Sequence, residues 1–284
     1  LDVDAELNVG RGRMRRTLSA ARRAGVSRVV VTSTIATVGP PRHGERSTEA
    51  DPFDARARDC VYHRVKLALE EEALASGLDV VLLLPTAIVG ELDVKAGTGF
   101  LIVALGNGLL PFYVEGRANV IDADDLARAH VLAAERGRSG ERYAIGGHDL
   151  MVSELLERVA DTLDIPMDAK PIPWWLAGPS ATFAEMRAAA SSDGKRPFLS
   201  RELVDVVRFG RFVDASKATR ELGLPAPTPL HVTLHKACDW YRRHRYLPSN
   251  LPREEGNAHA ARPVPADQSR PRRDHPPPQA GALR

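Results

Sequence analysis

The chain of 284 residues is 43% hydrophobic and carries a net charge of +2. That is enough apolar material for one large or two small domains, with too little charge imbalance to point to nucleic acid or a membrane surface. Two cysteines cannot frame a disulfide scaffold. No Cys/His cluster has metal-ligand spacing, so no metal site is expected and a cytoplasmic setting suits the chain. The sequence contains no signal-like apolar core, and its longest apolar run, around Val80 to Leu84, is too short to span a bilayer.

In chain order, Ala5 to Ala24 reads as a helix weakened by Gly10 and Gly12. Its arginines (Arg11, Arg13, Arg15, Arg16, Arg22 and Arg23) make it locally basic, either as a solvated face or as a site for an anionic partner. Gly25 stops the helix, and Val29-Val30-Val31-Thr32 is a β-branched run ending in the hydroxyls Ser33 and Thr34. Gly39 to Ala57, rich in Pro, Gly, Asp and Glu, reads as a surface loop. A helical stretch then carries Tyr62 and Lys66 and runs toward Gly77. Asp79 to Pro85 follows as a second continuous apolar strand. Helices alternating with fully apolar strands predict an α/β fold with a parallel sheet covered on both faces.

Beyond Gly90 comes an irregular loop to Gly99, an apolar helix from Phe100 to Gly108, and short strands at 110–114 and 118–121. A helix over 126–135 is expected to be capped by Asp124 or Asp125. Glu141 to Ile145 reads as a strand, and a helix opens behind Ser153. From about residue 150 the pattern is mainly helical, with Trp174 and Trp175 expected to pack. Residues 248–284 hold eight prolines and no aromatic residue, a composition that predicts a disordered tail.

The chemistry centres on Tyr62-x-x-x-Lys66. Four-residue spacing on a helix puts phenol and ammonium on one face, and the cation favours the phenolate, so such a tyrosine can exchange protons. Hydroxyls at the end of the preceding strand, together with the Pro85-Thr86-Ala87-Ile88-Val89-Gly90 turn, lie where ligands bind in parallel sheets, beyond the strands' carboxyl ends. Thr34, with Ser33 as the alternative, could hydrogen-bond a substrate oxygen and stabilise charge developing there. His63 and His130 sit on predicted helices without an evident carboxylate orienter and read as structural.

These residues resemble the extended short-chain dehydrogenase/reductases, the NAD-dependent epimerase/dehydratase family. The likeness is closest to dihydroflavonol-4-reductase-like proteins and hopanoid-associated sugar epimerases. Matching stretches include Ala20 to Val26, Val31 to Gly39, Tyr62-His63-Arg64-Val65-Lys66, Pro85 to Gly90, Gly140 to Gly147, Ser216 to Gly223 and Asp239-Trp240-Tyr241, and the resemblance covers residues 5 to 247. It implies a Rossmann-like doubly wound sheet, partial over 1–90 with a later strand and helix near 118–147, and a smaller, mostly helical substrate domain over 91–247. It also implies a catalytic set of Thr34, Tyr62 and Lys66. Thr32, Ser33, Tyr62, Lys66, Pro85, Thr86 and Ile88 would hold NAD or NADP. The implied substrate is a small carbonyl, alcohol or sugar, and the implied assembly is a homodimer paired through the Tyr62 helix and the long helix before it. Asn8 matches the family's Asn-Val pair out of register.

The family's opening strand and Gly-x-x-Gly-x-x-Gly turn, which receives the dinucleotide pyrophosphate, have no counterpart among Gly10, Gly12, Gly97 and Gly99. The resemblance therefore implies that roughly 70 to 80 residues forming the first half of a dinucleotide fold are absent. The alternative to an oxidoreductase or epimerase is an inactive fragment or binding protein without a dinucleotide turn. Nucleic-acid binding through the arginine-rich helix is a third reading, with salt-sensitive affinity as its mark.

Overall fold

In the computed structural model, which describes residues 3–190 and 201–251, the two continuous apolar runs become neighbouring strands. The elements in order are α1 (Val3–Arg23), β1 (Val29–Thr32), β2 (Arg46–Ser47), α2 (Val61–Leu74), β3 (Val80–Pro85), β4 (Ala87–Val89) and α3 (Phe100–Gly106). There follow β5 (Phe112–Val114), β6 (Arg117–Asp122), α4 (Ala123–Arg136), β7 (Arg142–Ile145), β8 (His148–Met151), α5 (Val152–Leu163) and β9 (Lys170–Ile172). The last are α6 (Trp174–Ala190), α7 (Arg201–Arg208), β10 (Phe212–Val213), α8 (Ser216–Leu222) and α9 (Leu230–Arg243).

β3 lies between β1 and β7 in an all-parallel sheet, with Val30 opposite Val81 and Leu84 opposite Ala144. Alternation along β3 sends Val80 and Leu82 to a core with Leu18 of α1 and Ala73 of α2. Val81 and Leu83 go to a second core with Leu126, Ala129 and Ala133 of α4 and Leu222 of α8. Period-two side chains thus explain why every β3 residue is apolar: both faces are under helices. A further core joins α3, α5 and α9 around Leu156, Leu163 and Tyr241. β4 and β6 run parallel, with β8 antiparallel to β6, and β5–β9 and β2–β10 form short parallel pairs.

Among the described residues β1 pairs on one side only. Val29 N–H donates to Asp79 O and Ser33 N–H to Leu83 O, so the intervening Val30 and Thr32 direct their peptide groups away from β3. Val29, Val30 and Val31 are only half-buried, and with Val9, Met14 and Leu18 of α1 they line a recess of about 450 Å³.

Local details depart from the sequence expectations. Asp122, not Asp124 or Asp125, caps α4, because β6 runs on to 122 and leaves its carboxylate facing Asp124 N–H. Asp125 instead accepts from Thr228 N and Oγ1. The strand β8 precedes α5, whose first turn is closed by Met151 N–H donating to Glu154. Trp174 and Trp175 are exposed, since α6 buries its small residues Ala177 and Ala181 against Val114 and Val204. The arginine-rich α1 turns Arg11 and Arg15 onto Glu71 and Glu72 of α2, as expected of a solvated face. The tail expectation lies, from 252 onward, outside the described residues. No helix among the described residues is long and apolar enough to cross a membrane.

Candidate active site

At the carboxyl edge of the sheet, α2 packs against the turn that follows β1. After Thr32 the chain turns through Ser33 and Thr34 into a 3-10 turn, Ile35–Thr37. Thr34 Oγ1 accepts from Ala36 N–H at 3.3 Å, using a lone pair and leaving its own proton available to a substrate oxygen. Ser33 differs in that its hydroxyl donates to Glu70 of α2. Thr32, one residue earlier, lies on the opposite face, where its Oγ1 is 2.6 Å from His130 Nε2 on α4. His130 Nδ1 is 2.8 Å from Leu126 O, which can only accept, so Nδ1 carries the proton and Nε2 accepts from Thr32. Thr32 and Ile88, which packs against the α4 core, are therefore not brought beside Tyr62 and Lys66.

Tyr62 and Lys66 occupy consecutive turns of α2, both half-buried, with Lys66 Nζ 5.9 Å from the Tyr62 ring centroid. Among the described residues no hydrogen bond or ion pair engages the Tyr62 hydroxyl or the Lys66 ammonium. Both polar heads are therefore open to a ligand. At the end of β3, Thr86 Oγ1 is buried without a partner, an unusual condition for a hydroxyl and one that a ligand group could relieve.

Next to Tyr62, His63 is 1% exposed, edge-on to the Tyr62 ring on one side and to Phe209 on the other. Burial pushes its imidazole down to about 4, helped by the Arg211 cation and opposed by Asp54. It is neutral in the fold at pH 7, whereas the unfolded side chain titrates near 6.5. Between those values the unfolded chain binds the extra proton, so His63's contribution is full above 6.5 and lost as pH falls toward 4. We expect the urea midpoint to drop across this window and the drop to shrink in His63→Gln. An unchanged slope would remove His63 from the account.

The residues present fit one end of a dinucleotide and not the other. Tyr62, Lys66 and the orphaned Thr86 hydroxyl suit a nicotinamide ribose. Among the described residues no glycine-rich strand-to-helix turn is available for the pyrophosphate. Gly97 and Gly99 cannot substitute, because Asp93 already accepts from both their N–H groups, at 2.9 and 3.2 Å, and its carboxylate would repel an anion. Gly99 is glycine for another reason: a Cβ there would sit 1.9 Å from the Tyr241 hydroxyl, which donates to the same Asp93.

Sequence reasoning missed the residues beneath this site. Glu70, 3% exposed, receives Ser33 and Thr37 and faces Arg142 of β7. Its only sequence signal is the spacing of four beyond Lys66, concealed in the run Glu70-Glu71-Glu72.

The sequence profile described as the NAD dependent epimerase/dehydratase family matches residues 10–146. A putative dihydroflavonol 4-reductase from Synechocystis sp. is 30% identical over 82% of this chain and 69% of its own length. Sterol demethylase protein B from Methylococcus capsulatus is 28% identical over 80% and 70%. Among solved structures, a nucleoside-diphosphate-sugar epimerase from Pseudomonas aeruginosa is similar at a TM-score of 0.73 and 32% identity, over 86% of this chain and 76% of that one. With its Rossmann-like parallel sheet and these similarities, this chain belongs to the NAD dependent epimerase/dehydratase family of enzymes.

Proposed function

We propose that this chain carries the catalytic half of an NAD(P)-dependent oxidoreductase or epimerase that transfers hydride at a carbonyl or carbinol carbon. The observation that carries the reading is the open pair Tyr62 and Lys66 on successive turns of α2, a helix packed against the turn after β1 in which Thr34 keeps a free proton. Thr34 donates to the substrate oxygen, and Tyr62 gives or takes the proton on that oxygen as its charge changes. Lys66 favours the phenolate and reaches the ribose hydroxyls, while Thr86 and the backbone at Pro85 close the nicotinamide side. When bound, the nicotinamide supplies or accepts the hydride.

The substrate class, a small carbonyl, alcohol or sugar, takes support from relatives named as a dihydroflavonol reductase and a nucleoside-diphosphate-sugar epimerase. We assign the cofactor half to 1–90 with 118–147, the substrate half to 91–247, and the cytoplasm as the setting. Calorimetry with NADH and NADPH tests the proposal. Micromolar binding supports it. No heat with either, on a folded sample, favours the second reading, a non-catalytic protein, whose own support is the Asp93 carboxylate seated on the Gly97 and Gly99 amides.

The same reading includes a homodimer through α1 and α2, which pack side by side and leave Val9 48% and Leu74 41% exposed. Light scattering should give twice the chain mass, reduced to one by Leu74→Glu. A single-chain mass in the parent rules this pairing out.

A further inference from the structure

We infer that Glu70 is the positioning residue that fixes the Thr34 hydroxyl with respect to Tyr62, by clamping both ends of the turn that bears Thr34. The inference rests on the functional reading of Thr34 and Tyr62 above. It assigns to Glu70 a role in that reaction without contact with substrate.

α2 rises about 6 Å over four residues, so Tyr62, Lys66 and Glu70 follow one another along one stripe of the helix. Among the described residues the polar heads of the first two form no hydrogen bond or ion pair, and the third is buried, with Oε1 hydrogen-bonded and Oε2 ion-paired. Glu70 Oε1 accepts from Ser33 Oγ and lies 2.5 Å from Thr37 Oγ1; Oε2 lies 3.0 Å from Arg142 Nε. Ser33 precedes Thr34 and Thr37 ends the 3-10 turn that Thr34 caps, so one carboxylate holds the chain on both sides of Thr34. Thr37 Oγ1 is also 2.9 Å from Thr34 O, sharing its single proton between that carbonyl and Glu70. Arg142 donates to Thr37 Oγ1 at 2.9 Å, closing a ring of α2, the turn and β7.

The arrangement sorts the adjacent hydroxyls. Ser33 has its proton committed to Glu70, whereas Thr34, held between the two anchors, does not. A carboxylate used only to stabilise the fold would need no particular spacing from Tyr62. Here it is carried by the same rigid helix that carries the phenol, so any movement of α2 moves both groups together, and the separation of Thr34 from Tyr62 is fixed by α2 itself.

The test compares Glu70→Gln and the near-isosteric Thr37→Val with the parent chain, using amide hydrogen exchange and the Thr34 side-chain couplings by NMR, alongside thermal melts. The Thr37 and Val38 amides, bonded to Thr34 O and Ile35 O, serve as local reporters. We expect exchange at Val38 to quicken by about tenfold in both variants, with Thr37 following in Glu70→Gln, and the Thr34 rotamer to become averaged, while amides of β3 keep their protection. In carbonyl reduction with NADPH, kcat falls by about tenfold with KM nearly unchanged, the signature of lost orientation as opposed to lost binding. Unaltered Thr34 couplings in both variants, or loosening spread evenly through β3 and β7, overturns the inference. If Glu70→Gln does not fold, Thr37→Val decides it alone. A parent chain that binds neither NADH nor NADPH and does not turn over defeats the functional reading, and the exchange data still decide whether Glu70 holds the turn.

Discussion

Tyr62→Phe lowers turnover by about 10²- to 10⁴-fold, the range that a single positioned proton donor or acceptor contributes. The substitution removes one oxygen. That oxygen has no hydrogen-bond partner among the described residues, and the phenyl ring retains the edge-on contact with His63 at 5.8 Å between centroids. Stability should therefore stay within about 0.5 kcal/mol of the parent, as for surface changes that break nothing. The diagnostic result is this separation of rate from stability. Steady-state carbonyl reduction with NADPH, paired with a urea melt, measures both. Tyr113→Phe, remote in sequence on β5, serves as the control. Retention of parental turnover by Tyr62→Phe would falsify the proton-transfer assignment, whatever the fate of the cofactor reading.

The second large effect concerns stability. Arg142→Met leaves the Glu70 carboxylate buried without its cation, and an uncompensated buried charge costs about 3–5 kcal/mol. For a domain of this size the melting temperature should fall by roughly 10 °C. The double variant Arg142→Met with Glu70→Met removes both charges and should recover much of the loss, because the ion pair itself adds little once its desolvation is counted. Recovery will be incomplete, since Ser33 and Thr37 lose their acceptor and remain partly buried. A double variant no better than Arg142→Met alone would show that packing around the Arg142 stem, and not the orphaned charge, sets the loss.

The parts of this molecule that could be read from its sequence are those where one residue type repeats for one physical reason. Val29 to Thr32 and Val80 to Pro85 are continuous apolar runs because helices cover both faces of a parallel sheet, and both were legible. Tyr62 and Lys66 were legible because helical spacing converts directly into proximity. The Glu70 site was not, because three successive glutamates look alike in sequence. Only the approach of Ser33, Thr37 and Arg142, from two other elements, separates the buried one from its exposed neighbour Glu71. The α4 cap failed for a related reason. Asp122, Asp124 and Asp125 are equally good acceptors, and the choice depends on where β6 ends. Short strands such as β8 and β10 carry no β-branched run to reveal them and exist by pairing with partners distant in sequence.

The side of β1 that no described strand covers bears on how this chain behaves in a tube. A strand of valines with outward peptide groups is a template for another strand, and natural sheets usually guard such an edge with a free charge, a proline or a bulge. Arg28, next to the strand in sequence, is already committed to Asp79 and to Ala134 O, which leaves Glu6 and Arg13 of α1 as the charges that share a recess with its valines. The edge is short, which limits but does not remove its capacity to recruit. Sedimentation and loss on concentrators then become chemical information to which β1 contributes alongside the exposed Leu92 and Trp175, and a ligand or companion chain that seats on β1 would declare itself as improved solubility.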